Sequence, residues 1–172
     1  RSARGSATWS PAPAVTDALD AAFYLAFGGV RPTGKRTYLA LDVSGSMNWP
    51  EIASLPGVTP RVGSVAMALV TAAVEQSYYI AGFQGSLVEL GITSRTRLDD
   101  ACRQVNGLPF GRTDCAAPML DALDRRMEVD TFLVYTDSET WAGTIHPVQA
   151  LRMYRERMGI NAKLVVVGMV SN

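Results

Sequence analysis

Histidine is almost missing from this chain. His146 is the only one, and it stands directly before Pro147 at the start of a predicted helix. That is a surface or capping position rather than the place of a general base. Cysteine is nearly as scarce. Cys102 and Cys115 have no metal-ligand spacing and read as two buried free thiols, which suits a reducing cytoplasm. No apolar run approaches about 18 residues, so no membrane span is expected. No secretory leader pattern follows Arg1. Net charge is absent too. The 16 basic and 16 acidic residues cancel, which argues against a self-sufficient nucleic-acid binder. Arg152, Arg155 and Arg157, on one predicted helix, read as a solvated face. No G-x-S-x-G elbow surrounds Ser44 or Ser46, and there is no internal repeat. Lacking an initiator Met, the chain reads as a piece of something longer.

What is present is an ordinary globular composition. A hydrophobic content of 48% against 19% charged, over 172 residues, fits one soluble domain with a real core. Residues 1–15 are rich in Ser, Ala and Pro and read as a linker or N-terminal arm. Residues 16–29 read as a helix capped by Thr16 and ended by Gly28-Gly29. Its Leu19, Phe23, Leu25 and Phe27 spread over more than one face, so it wants partners on two sides. From residue 30 onward strands and helices alternate. The continuous apolar run at 38–44 suits the centre of a parallel sheet. A helix at about 62–76 follows, with Met67 in its core pattern. Two short strands are joined by a tight turn at Gln84-Gly85-Ser86. Thr96 and Asp99 suggest a capping box. A helix opened by Pro118, the strand TFLVYTD, a helix from Pro147 and the strand AKLVVVGMV complete the pattern. The expected fold is α/β: a doubly wound, mostly parallel, Rossmann-like sheet with an antiparallel edge hairpin.

Ligands of such sheets sit outside the carboxyl ends of the strands. Asp42, Ser44 and Ser46 alternate as the first strand leaves the core. Asp137 ends a later strand, and Thr113 lies in a Gly-flanked loop at a helix entry. Three distant segments thus bring two carboxylates and three hydroxyls to one edge. A set of hard oxygens without His or Cys suits Mg²⁺ or Mn²⁺ and not Zn²⁺. An incomplete protein shell leaves room for a ligand oxygen.

The motifs DVSGS, GRTD and YTDSE resemble the metal-ion-dependent adhesion site of von Willebrand factor A domains. The resemblance implies that Ser44, Ser46 and Thr113 touch the metal, and that Asp42 and Asp137 act directly or through water. More of the chain is similar to the C-terminal part of Ro (SS-A) ribonucleoproteins of a bacterial type. The similarity runs through LDAAFYLAFGGVRPTGKRTYLALDVSGSMNW, GRTDCAAPM, TDSETWAG and INAKLVVVGMVSN. It implies a parent protein with a ring of helical repeats that binds Y RNA outside and admits single-stranded ends of misfolded RNA. That absent ring would cover the helix at 16–29. It implies as well cooperation with an exoribonuclease in RNA processing and stress survival in the cytoplasm. Residues 30–172 then form the A-type domain, expected to lack its last strand and helix.

Other readings compete with a binding module. The segment GVRPTGK, Gly29 to Lys35, fits a P-loop pattern, but Arg36 stands where Ser or Thr is needed and a strand follows instead of a helix. As a Mg²⁺-dependent phosphotransferase or phosphatase, the protein would use Asp42 as nucleophile. Ser44 then occupies the place of the general acid. Asp114 is read as a cap for the helix after it. Glu139 either holds a metal-bound water or faces solvent. Trp49 and Trp141 flank the site on loops, where they either stack on a base or pack the loops. The open position would take a carboxylate of a partner protein or an RNA phosphate.

Overall fold

The computed structural model describes residues 10, 12–49, 51–83, 87–108, 113–137 and 142–170. The predicted turn at Gln84-Gly85-Ser86, together with Glu139 and Trp141, lies outside them.

Among the described residues five strands form one sheet. They are β1 (Thr37–Asp42), β2 (Tyr78–Phe83), β3 (Leu87–Glu89), β4 (Thr131–Thr136) and β5 (Lys163–Gly168), in the order β3-β2-β1-β4-β5. Every pairing is parallel except β2 with β3. The helices are α1 (Pro13–Leu25), α2 (Pro60–Val74), α3 (Leu98–Asn106), α4 (Ala117–Asp124) and α5 (Pro147–Met158). This is the doubly wound arrangement the alternating pattern requires. The central strand β1 is buried at all six positions, because helices cover both of its faces. On one face Leu39, Leu41 and Val43 pack with Val65, Ala68 and Leu69 of α2 and with Ala101 and Val105 of α3. On the other, Tyr38 and Ala40 meet Met119 and Ala122 of α4 and Ala150 and Tyr154 of α5. Strand periodicity of two sorts one continuous apolar run into two cores.

Several local expectations are corrected. Strand β1 ends at Asp42, two residues before Ser44, because a 3-10 turn at Gly45–Asn48 takes the chain away. Helix α1 starts at Pro13, whose ring suits the first turn. Thr16 therefore lies inside the helix, where its hydroxyl donates back to the Ala12 carbonyl. The capping box does not form. Thr96 turns the other way and accepts the Thr93 N–H at 2.9 Å, leaving Arg97 as the uncapped residue before α3. Met67 is 47% exposed, since the buried stripe of α2 runs through Arg61, Ser64, Val65, Ala68, Leu69 and Ala72. Helix α1 and the 3-10 turn after it, Ala26–Gly29, lean on the core through Phe23, Tyr24 and Phe27, three rings in edge-to-face contact. Val15, Leu19 and Leu25 remain exposed. Strand β5 lies at an edge of the sheet, with Val165 and Val166 exposed. The two cysteines are free, as expected, but only half-buried. Among the described residues no helix is long and apolar enough to cross a membrane.

The P-loop-like segment folds back on its own domain. The Thr33 and Gly34 N–H groups and the Thr33 hydroxyl donate to the Glu75 carboxylate. Burial pushes that carboxyl up, but these donors outweigh it and hold it below its ordinary value. Glu75 thus occupies amides that a bound phosphate would need.

Arg36, just before β1, is paired with Asp130, just before β4. Its Nη2 lies 2.7 Å from Asp130 Oδ1, and its Nε and backbone N–H donate to Oδ2 at 3.0 Å. These donors lower the Asp130 carboxyl from 3.8 to about 2. The unfolded chain therefore takes up this proton first as pH falls. The stabilisation is complete above about pH 4 and disappears by about pH 2. Asp130→Asn is expected to remove this part of the acid-induced loss, read as the urea midpoint at successive pH values between 5 and 2. An unchanged acid profile would assign the loss to other carboxylates.

Candidate metal centre

The parallel register places the carboxyl ends of β1 and β4 side by side, with Leu41 opposite Tyr135. One residue further, Thr136 donates its hydroxyl to Asp42 Oδ2 at 2.7 Å. Thr113, from the loop before α4, donates to the same oxygen at 3.1 Å. The Ser44 N–H donates to Asp42 Oδ1 at 2.8 Å, and the Ser44 and Ser46 hydroxyl oxygens are 3.0 Å apart. Asp42 is fully buried, and Ser44, Thr113 and Asp137 are nearly so. Asp137 follows Thr136 at the end of β4. The structure therefore joins Asp42, Ser44, Ser46 and Thr113 through direct contacts and sets Asp137 beside them.

Cys115 borders the same edge. Burial pushes its thiol up to about 11, and the neighbouring Asp42, Asp114 and Asp137 add to the rise. The thiol is thus kept protonated at neutral pH, which suits a neutral neighbour better than a soft-metal ligand. Among the described residues no three His, Cys, Asp or Glu side chains converge on a point that could hold a metal ion. The donors on offer are two carboxylates and three hydroxyls, a set matched to a hard divalent ion that keeps some of its waters. A cavity of about 540 Å³ between α1 and α3 and another of about 460 Å³ beside Val30 and Leu133 lie away from this edge.

Three supporting features were not visible in the motif. Thr136 sits one residue before the expected Asp137 and bonds the key carboxylate. Arg61, in the first turn of α2, is 2% exposed and reaches under the loop. Its Nη2 donates to the carbonyls of Val43 at 3.0 Å and Ser44 at 2.7 Å, and its Nη1 donates to Asn106 Oδ1 at 3.0 Å. Burial lowers the guanidinium's pKa, and the nearby Asp42 charge raises it. The third feature ties two loops together. Ala142 N–H donates to the Thr113 carbonyl at 2.7 Å. Next to it, Gly143 has φ +103°, and a Cβ there would lie 2.6 Å from Asp114 Oδ2. Asp114 accepts the Ala116 N–H at 2.9 Å in a turn ahead of α4, whose capping residue is Ala116, so the expected cap by Asp114 does not form. His146 does cap α5, its Nδ1 accepting the Val148 N–H at 3.3 Å. Trp49, in contrast, is 69% exposed and does not pack the loops.

The two loops meet so closely that glycine is needed at position 143, both for its conformation and for the space. Gly143→Ala is expected to lower unfolding stability by roughly 1–3 kcal/mol, measured by urea denaturation. A variant as stable as the wild type would show that the contact yields without strain.

Comparison with known proteins converges on one family. A family model described as the Ro60 vWA domain matches residues 36–172. Over 168 residues the chain is 48% identical to the RNA-binding protein RO60 of Deinococcus radiodurans, covering 98% of this chain and 32% of that protein. It is 43% identical over 170 residues to the RNA-binding protein RO60 of Caenorhabditis elegans, covering 98% of this chain and 26% of that one. The crystal structure of the Deinococcus radiodurans RO (RSR) protein matches with a TM-score of 0.86 over 98% of this chain and 34% of the other, at 48% identity. The chain thus spans about a third or less of the length of these relatives. Sheet order, the hydroxyl-rich edge and this kinship agree, and the chain belongs to the Ro60 vWA domain family.

Proposed function

We propose that this domain is a divalent-cation-dependent binding module of a Ro-like RNA-binding protein, and not an enzyme. Asp42, Ser44, Ser46, Thr113 and Asp137 would hold Mg²⁺ or Mn²⁺. The observation that carries this reading is the fully buried Asp42 carboxylate, with hydroxyls from two other segments on one of its oxygens. When bound, the cation supplies a Lewis-acidic position for one anionic oxygen. The protein's own part is to orient the oxygens and to keep the surrounding edge closed. A carboxylate of a partner protein, such as an exoribonuclease, and an RNA phosphate both have the required chemistry.

Binding is favoured over phosphoryl transfer by two features of Asp42. A nucleophile must reach its substrate, yet Asp42 is wholly buried and Oδ2 already accepts two hydroxyls. The general acid that such a mechanism needs two residues later is replaced by Ser44. In the parent protein, by kinship with the RO60 relatives, a helical ring would carry Y RNA and misfolded RNA in the cytoplasm, with this domain contributing the metal-dependent contact.

The contacts of Asp42 dictate how the site is tested. Asp42→Ala would strand three buried donors, at about 1–3 kcal/mol for each left unsatisfied, so loss of function in it would be ambiguous. Asp42→Asn keeps the shape and an acceptor while removing the charge. Titration calorimetry with Mn²⁺ is expected to show binding by the wild type and none by Asp42→Asn. Equal binding by both would place the ion elsewhere, and Mg²⁺-dependent turnover of a phosphate ester that Asp42→Asn abolishes would establish the enzyme reading instead.

The balanced charge sets a second expectation. Non-specific affinity for nucleic acid comes mainly from cations that neutralise phosphates and release counterions. With no net charge, the chain alone should bind an RNA hairpin no better than roughly 10⁻⁴ to 10⁻⁶ M at physiological salt. A single-stranded end should gain a small Mg²⁺-dependent increment that Asp42→Asn abolishes. Fluorescence anisotropy with both RNAs, with and without Mg²⁺, reads this directly. Tight metal-independent hairpin binding would make this domain itself the RNA reader.

A further inference from the structure

A charged guanidinium that is 2% exposed needs a reason. Removing such an ion from water is costly. Arg61 lies between α2, the end of α3 and the loop that leaves β1, where Met or Leu would fill the same space. Its hydrogen bonds to Val43, Ser44 and Asn106 go to neutral oxygens, two of them main-chain. Both main-chain acceptors, the carbonyls of Val43 and Ser44, lie inside the segment that runs from Asp42 to Ser46.

The loop is gripped from two sides. Asp42 Oδ1 takes the Ser44 N–H, and Arg61 takes the carbonyls on either side of that residue. The orientations of both peptide planes at Ser44 are therefore set, and with them the direction of its side chain. The Ser44 carbonyl also accepts the Met47 N–H at 3.3 Å, which starts the turn that presents Ser46. Met47 is itself fully buried and seats the turn against the core. Asn106 holds the outer edge of the guanidinium, so the end of α3 takes part in the same arrangement. A planar fork can bond two adjacent carbonyls and a side-chain amide at fixed angles, which a lysine ammonium cannot reproduce.

We propose that Arg61 is a positioning residue for the cation site, holding the Val43 and Ser44 carbonyls so that the Ser44 and Ser46 hydroxyls stay in coordinating register before any ion arrives. This rests on the cation-binding reading above and adds a residue, on a separate helix, that acts through the main chain of the loop. Partners of this kind, one shell out from a metal, typically change metal affinity by roughly 10- to 100-fold.

The test uses the full chain and the variants Arg61→Met, Arg61→Lys and Asn106→Ala. Three quantities are read: the urea midpoint, amide hydrogen exchange at residues 44–48 without metal, and Mn²⁺ affinity by calorimetry. Arg61→Met leaves the Val43 and Ser44 carbonyls and Asn106 without this donor, and is expected to lower the urea midpoint, exchange faster at residues 44–48 and lose roughly 10- to 100-fold in Mn²⁺ affinity. Arg61→Lys should recover part of these losses, and Asn106→Ala should show a smaller form of each. Unchanged affinity and loop exchange in Arg61→Met, beside a wild type that binds Mn²⁺, would overturn the proposal. Should Arg61→Met fail to fold, Arg61→Lys and Asn106→Ala decide: weaker Mn²⁺ binding at native stability supports positioning, and unchanged binding refutes it. If the wild type takes up no Mn²⁺, the cation reading itself fails. Loop exchange in the variants then tells whether Arg61 orders this loop at all.

Discussion

The Asp42 carboxylate is a group the fold has taken wholly out of water, and the carboxyl edge of the sheet is organised around satisfying it. A buried carboxylate without donors would be strongly unfavourable. Here the donors come from the residue two positions along, from the loop before α4 and from the end of the neighbouring strand. Each donor belongs to a different segment, so the same hydrogen bonds that satisfy the carboxylate also bring the proposed ligands together. Stability and site geometry are one problem in this corner of the molecule. The buried Arg61 adds a positive charge nearby while its Nη2 is turned to the loop's carbonyls.

The rest of the sheet serves this edge by being rigid. Strand β1 is enclosed on both faces and paired on both sides, so its end cannot drift relative to β4. At the opposite end of the sheet Arg36 and Asp130 tie the entries of the same two strands. The pair β1–β4 is thus clamped at its start by an ion pair and at its finish by the Thr136 hydroxyl. Tyr154 completes the frame on the α5 side, taking the Val129 N–H and donating to the Met127 carbonyl just ahead of β4.

How much of this was legible depends on what the sequence pattern encodes. Alternating strands and helices, and the apolar run Tyr38 to Leu41 within β1, report burial on both faces, so the parallel sheet could be read directly. Asp42, Ser44 and Ser46 could be read too, because a polar triplet directly after a buried strand falls on the edge where such sheets bind ligands. Thr136 and Arg61 could not. Inside TFLVYTD a threonine is an ordinary strand residue, and an arginine in the first turn of a helix is ordinarily solvated. Only tertiary contact turns the first toward Asp42 and buries the second. Local signals failed where two local partners competed: Thr96 had the right spacing to Asp99 for a capping box but bonded Thr93 instead. Met67 misled for a related reason, since apolar composition in α2 does not say which side of the helix faces the sheet. The meeting of Gly143 with Asp114 left no mark in the sequence beyond a glycine in a loop.

The hydrogen bonds to Asp42 also set an order of events during synthesis. Asp42 leaves the ribosome 71 residues ahead of Thr113 and 94 ahead of Thr136. Until those residues emerge, the central strand has only β2 beside it, and its polar terminus has no hydroxyl donor from elsewhere in the chain. Contacts so distant in sequence close late, because the intervening chain must be ordered first. The nascent chain therefore passes through an interval with an apolar strand exposed on one side, the condition in which chains are open to aggregation. Assembly of the proposed cation edge coincides with the end of that interval, so its oxygens converge only after β4 has paired with β1.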